Sequence, residues 1–144
     1  MTIIPIEWGS PEYDLSVKIR YDVLRKPINM EFTAEQLSEE WTDVHLACYD
    51  TQAEMLGCLI LTNLDDKSLK MRQVAVAAIH QRKGVGQRLV EASEQYAKQN
   101  KFEKIVLNAR ITAVPFYISL GYQSIGKEFQ EVGIVHQKME KLML

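Results

Sequence analysis

The stretch from Val74 to Val90 constrains this chain most, because its apolar period changes within a few residues. Val74-Ala75-Val76-Ala77-Ala78-Ile79 is apolar throughout and predicts a strand covered on both faces. From Val85 the period becomes helical: Val85, Leu89, Ala92 and Tyr96 share one stripe. Gln87, Glu91, Glu94, Gln95 and Lys98 occupy the other sides, with Glu94 and Lys98 in the favourable i,i+4 order. A buried strand that runs straight into a helix predicts a right-handed crossover to a parallel neighbour. Lys104-Ile105-Val106-Leu107-Asn108-Ala109-Arg110 supplies that neighbour.

The joint between strand and helix is Gln81-Arg82-Lys83-Gly84-Val85-Gly86. The first amides of a helix lack partners and its dipole makes that end positive. Glycines at 84 and 86 allow a ligand close to the backbone, and Arg82 and Lys83 add charge. Together they describe an anion cradle, best suited to phosphate. It is not a P-loop, because Lys83 is followed by Gly84 and Val85 rather than by a magnesium-holding hydroxyl. It is not a dinucleotide fingerprint either, since the third glycine position is Leu89. The competing reading is a glycine-capped helix that binds nothing.

Around this unit the chain reads in order. Thr2 to Trp8 is a first strand. A helix with Leu15, Ile19 and Val23 as its apolar stripe follows Gly9-Ser10-Pro11 and stops at Pro27. Thr33 and Gln36 form a capping box for a helix from Ala34 to Trp41. Val44–Tyr49, Met55–Leu64 and Ser68–Ala78 form three meandering strands. The helix from Gly84 ends near Asn100, Thr112 caps a helix Ala113–Leu120 that Gly121 ends, and Tyr122–Ile125 and Val135–Leu144 close the sheet. There is no repeat, low-complexity tract or linker.

At 144 residues and 47% hydrophobic content, one domain spanning 1–144 can bury one core. A net charge of −2 gives no footprint for nucleic acid and leans faintly toward cationic substrates. No apolar run reaches the ~20 residues of a membrane span, and Met1-Thr2-Ile3-Ile4-Pro5 does not resemble a signal peptide, so a cytoplasmic location without membrane partners is expected. Cys48 and Cys58 fall in consecutive strands where a disulfide is conceivable, but two small buried hydrophobes is the preferred reading. His45, His80 and His136 share no metal-ligand spacing, so no metal is expected, and His80 is expected to be exposed.

The pattern Gln/Arg-x-x-Gly-x-Gly/Ala directly after a strand resembles the coenzyme A pyrophosphate loop of the GNAT superfamily of N-acetyltransferases. A second segment, Asn108-Ala109-Arg110-Ile111-Thr112-Ala113-Val114-Pro115-Phe116-Tyr117-Ile118-Ser119-Leu120-Gly121-Tyr122, is similar to the strand and Phe-Tyr helix that follow it in that family. Both motifs stand in the family's order, and the element order matches along the whole chain. Arg20–Pro27 and Lys127–Met139 are similar to segments of a subgroup of small bacterial members.

The resemblance implies an α/β (α+β) fold with a GNAT-type mixed central sheet, an antiparallel meander plus a splayed parallel strand pair, flanked by helices. It implies an acetyl-CoA-dependent N-acetyltransferase moving acetyl to a primary amine, on a small molecule or a protein, by direct transfer in a ternary complex. The implied donor contacts are Val74 and Val76 on the pantetheine, Gln81, Arg82, Lys83, Gly84, Val85 and Gly86 on the pyrophosphate, and Asn108 and Phe116 near the arm. Tyr117 stands at the position of the acid that protonates the departing thiolate, with core packing as its alternative. His136, Glu128 and Glu131 are candidates for the base, His136 as the catalytic residue or a structural one, and the carboxylates with binding of the substrate's ammonium or simple solvation as alternatives. A homodimer is left open. The rival functions are a non-catalytic acyl-CoA-binding or regulatory domain and a structural partner protein without a ligand.

Overall fold

The computed structural model describes residues 1–144, and its centre is one seven-stranded sheet. The elements are β1 (Thr2–Ile6), α1 (Pro11–Arg20), α2 (Ala34–Ser38), β2 (Val44–Tyr49), β3 (Met55–Asn63), β4 (Ser68–Val76), α3 (Val85–Gln99), β5 (Lys104–Arg110), α4 (Val114–Ser119), β6 (Gln123–Glu131) and β7 (Ile134–Leu142). Strand order across the sheet is β1-β2-β3-β4-β5-β7-β6. All neighbours are antiparallel except β4 and β5, the pair that the α3 crossover joins. The expected mixed sheet, meander and parallel pair are all present.

Two irregularities in β4 shape the rest. Its parallel ladder to β5 runs only from Ser68↔Lys104 to Met71↔Leu107. Beyond that point the strands part, while β5 keeps β7 on its other edge as far as Arg110↔His136. On the β3 side the register jumps from Ile60↔Arg72 to Cys58↔Ala75, so β4 holds an extra residue there. Gln73 takes a left-handed φ of 51° within this bulge. A bulge and a lost partner at the same level turn a continuous sheet into a wedge.

The helix α3 seals one face of the sheet, burying Val85, Leu89, Val90, Ser93 and Ala97, with Ala92 and Tyr96 packed at the margin. It sits so close that a Cβ on Gly57 would stand 3.1 Å from Val85 Cγ1 and 3.3 Å from Leu89 Cδ1. Glu94 does not use Lys98: its carboxylate takes hydrogen bonds from Lys141 Nζ (2.9 Å) and Tyr122 Oη (3.1 Å), tying α3 to β7.

On the other face the expected stripe of α1 is corrected. Tyr13, Ser16 and Arg20 are buried, while Leu15 is 52% exposed. The face is chosen by a polar network rather than by apolar content. Arg20 makes a two-pronged pair with Glu40 at 2.9 Å on each arm, and Tyr13 Oη donates to Glu40 at 2.7 Å. Arg20 Nη1 also donates to Gln73 Oε1 at 3.0 Å, so the network holds the β4 bulge. The thiols are separated by the same geometry: Cys48 pairs with Gly57 and Cys58 with Ala47, which puts them on opposite faces, both free and buried. The Thr33–Gln36 capping box is formed. Thr112 does not cap α4, because a 3-10 turn over Ile111–Ala113 delays the helix to Val114.

The buried phenols predict an alkaline limit to stability. Burial, aided by the Glu40 and Glu94 carboxylates, pushes Tyr13 and Tyr122 well above the ordinary 10.0, and burial alone does so for Tyr117. The unfolded chain releases these protons near pH 10 while the folded chain retains them. Their contribution to stability is therefore complete below about pH 10 and falls as pH rises further. A melting temperature measured against pH should show no phenol-driven decline up to pH 9 and a decline above pH 10; no decline there would contradict the burial.

Candidate active site

Between the parting strands lies a cavity of about 390 Å³. Arg72, Gln73 and Val74 from the bulge line one side, and Leu107 to Arg110 from β5 line the other. Tyr117 of α4, Glu131 and Val132 of the last hairpin turn, and His136 of β7 complete it with Leu24 and Arg25. The structure thus brings together five sequence-predicted residues, Val74, Asn108, Tyr117, Glu131 and His136. Glu128 is absent from the lining and lies in a bulge of β6, exposed to solvent.

Local causes place each group. A register break between Ile125 and Phe129 is held by Gln137, whose Nε2 donates to Ile125 O at 2.9 Å and to Gly126 O at 3.2 Å. Val132 and Gly133, both with positive φ, make a two-residue turn that pairs Glu131 with Ile134. Arg110, His136 and Phe129 form one row across β5, β7 and β6, so their side chains share a face. His136 is 4% exposed and stacks on Phe129. Its Nδ1 lies 2.8 Å from Ile134 O; a carbonyl only accepts, so Nδ1 is the donor. That leaves Nε2, 3.4 Å from Glu131 Oε2, as the nitrogen available for proton exchange.

Tyr117 is 7% exposed and packed edge-on between Phe116 and Tyr122. Burial is the sole cause of its raised pKa; no charge or hydrogen bond within the chain perturbs it. A phenol in this state keeps its proton across the physiological range.

The glycine loop, Gln81 to Gly86, stands just outside the cavity lining. Arg82 and Gly84 both have left-handed φ, 64° and 85°, so the chain turns twice on entering α3. The hydrogen bonds of turns and caps engage none of the amides from Arg82 to Gln87, and α3 has no side-chain cap. Such a run of donors at a helix entrance is the arrangement to which anions bind in general. Gly84 faces open space. Gly86 is half-buried, not exposed: a Cβ there would stand 3.3 Å from the Phe116 ring and 3.8 Å from Val76 Cγ2. Phe116 therefore spans from α4 to the entrance of α3.

Other predicted residues make contacts within the chain. Gln81 turns back, its Nε2 donating one hydrogen bond to Val76 O at 3.1 Å. His80 is not simply exposed: its side chain is 14% accessible and sits 3.6 Å from Glu54. No group of three His, Cys, Asp or Glu side chains is arranged to hold a metal ion. No helix is long and apolar enough to cross a membrane. Sequence reasoning missed the cations of the cavity, Arg25, Lys70, Arg72 and Arg110. It also missed Gln73 and its buried Arg20–Glu40 support, for which no short-range pattern exists.

Comparison with known proteins agrees with this architecture. An uncharacterized N-acetyltransferase of Bacillus subtilis (strain 168), YjcF, is 30% identical over 85% of this chain and 87% of its own length. N-acetyltransferase family 8 member 3 of Rattus norvegicus is 26% identical over 69% of this chain; the match spans only 51% of that protein. An aminoglycoside 6′-N-acetyltransferase crystallised with coenzyme A superposes with a TM-score of 0.81 over 100% of this chain and 98% of its own, a likeness of fold at 17% identity. The sequence profile of the acetyltransferase (GNAT) domain matches residues 20–143, which takes in the wedge, the phosphate loop and the Phe-Tyr helix alike. By that match the chain belongs to the GNAT acetyltransferase family.

Proposed function

We propose that the chain transfers the acetyl group of acetyl-CoA to a primary amine held in the cavity, with both substrates bound at once. The observation that carries this reading is the alignment of an amide-rich phosphate loop with a wedge that leads to one buried phenol and one buried imidazole. Acetyl-CoA supplies a thioester carbonyl that a neutral amine can attack.

The residues divide the work. The amides from Arg82 to Gln87, with Lys83 beside them, hold the pyrophosphate. Val74 and Asn108 border the splayed strands where an extended arm adds like a strand. His136 Nε2, directly or with Glu131, takes the proton the amine nitrogen loses. As the new carbon–nitrogen bond forms and the carbon–sulfur bond breaks, Tyr117 gives its proton to the sulfur; His136 then releases the amine's proton to solvent while Tyr117 recovers one from it. The balance is one amine and one thioester converted to one amide and one free thiol.

Donor binding is tested by thermal stability. Acetyl-CoA at a hundredfold over its dissociation constant should add ~2.7 kcal/mol, a melting shift of roughly 5–10 °C for a chain this size. ATP and NAD should shift it far less. Lys83→Glu, at an exposed position, should leave the unliganded melting temperature within about 1–2 °C and weaken acetyl-CoA by about tenfold. Equal shifts for all three nucleotides, or no shift, would overturn the donor site.

A further inference from the structure

We propose that the acceptor carries a small oxyanion beside its amine, a carboxylate or a phosphate, and that Arg25 and Arg110 bind it in the cavity. The inference rests on the acyl-transfer reading of that cavity. Four cationic side chains line it, Arg25, Lys70, Arg72 and Arg110, against the single carboxylate of Glu131. In a chain of net charge −2 this is a local inversion, not a reflection of composition.

The partners of each cation decide which are free. Arg72 lies 3.6 Å from Asp43 and donates to Thr62 Oγ1. Arg25, Lys70 and Arg110 take part in none of the ion pairs of the chain. Arg110 Nη2 donates to Leu24 O at 2.7 Å, which fixes the guanidinium without neutralising it. The Arg25 guanidinium carbon lies over the Phe32 ring, 4.8 Å from its centroid, a cation–π contact that uses none of its N–H donors.

Both guanidiniums are held in an unfavourable setting. Burial pushes each below its ordinary value, and Arg25 further depresses Arg110 while Arg20 and Arg72 depress Arg25. Glu131 opposes this for both, but its carboxylate is half exposed and shared with His136. An oxyanion between two fixed forks relieves the repulsion and accepts charge-assisted hydrogen bonds. The chain positions its forks from a π-turn over Tyr21–Arg25 and from the last residue of β5, opposite His136. An amine on a short arm from that anion then lies on the Glu131–His136 side. The phosphate loop, Gln81 to Gly86, contributes nothing to this lining, so these cations are not part of the donor's pyrophosphate site.

The test follows free thiol from acetyl-CoA with matched acceptors: the amino acids beside their carboxamides, O-phosphoethanolamine beside ethanolamine, and spermidine. The expected result is a kcat/KM at least tenfold higher for the anionic member of an accepted pair. The amino acid and phosphate arms identify which oxyanion it is. Arg25→Gln should remove most of that advantage through KM and leave the acetyl-CoA melting shift intact. Preference for neutral amines or spermidine, failure to acetylate any anionic amine, or an Arg25→Gln effect on acetyl-CoA binding instead of on acceptor KM overturns the proposal. Turnover of a neutral amine, or the acetyl-CoA shift itself, reports on the transferase reading separately.

Discussion

Glu40→Ala is expected to cost about 3–5 kcal/mol, because it strands a buried guanidinium. At roughly 2–4 °C per kcal/mol, the melting temperature should fall by about 6–20 °C. Arg20 is 1% exposed and its Nε already lacks a partner, so the loss of two bonds at 2.9 Å leaves it only Gln73. Tyr13 loses its acceptor in the same step. The pH dependence has a definite sign. Burial alone would raise the Glu40 pKa, but the hydrogen bonds from Arg20 and Tyr13 and the Arg20 charge bring it below the ordinary 4.5. Its contribution is thus present above about pH 4.5 and lost as pH falls through the depressed value; Glu40→Ala should lose that acid-side slope. Replacing both members, Arg20→Met with Glu40→Leu, should recover much of the stability. It should not recover acyl transfer, because Gln73 in the bulge loses its anchor. A double variant that is both stable and fully active would show that the network serves stability alone.

Tyr117→Phe is expected to lower turnover by up to about 10²-fold, near the lower end for a positioned acid because a thiolate leaves readily. The ring stays between Phe116 and Tyr122, so stability and acetyl-CoA affinity should change little. The structure alters the expected pH profile. An ordinary phenol would produce an alkaline decline near pH 10, but burial moves that ionisation beyond the accessible range. Wild-type turnover should therefore show no limb from Tyr117 up to pH 10, and the variant should be lower at every pH with a parallel profile. Equal turnover for the two proteins would return Tyr117 to the core.

The Val74–Val90 unit was legible because its information is local: a change of period and two glycines at one joint. The wedge was legible only through resemblance, since the end of a strand ladder leaves no mark in composition. The α1 face was misread because Leu15 and Ile19 satisfy a hydrophobic stripe, whereas Tyr13, Ser16 and Arg20 are recruited by Glu40, twenty residues beyond Arg20. Arg25 and Arg110 look like solvated charge in sequence. They become a site only when a π-turn and a strand end bring them to one cavity. The same distance in sequence hid Lys141 as the partner of Glu94, for which the nearer Lys98 was the obvious candidate.

The most direct measurement is the stoichiometry of acetyl-CoA consumption in the presence of an amine panel, with free thiol and acetylated amine quantified together. The account predicts one thiol released per acetylated amine, dependent on both substrates and impaired in Tyr117→Phe. Stabilisation by acetyl-CoA with no thiol release for any amine would contradict it, and would leave an acyl-CoA-binding domain without transfer.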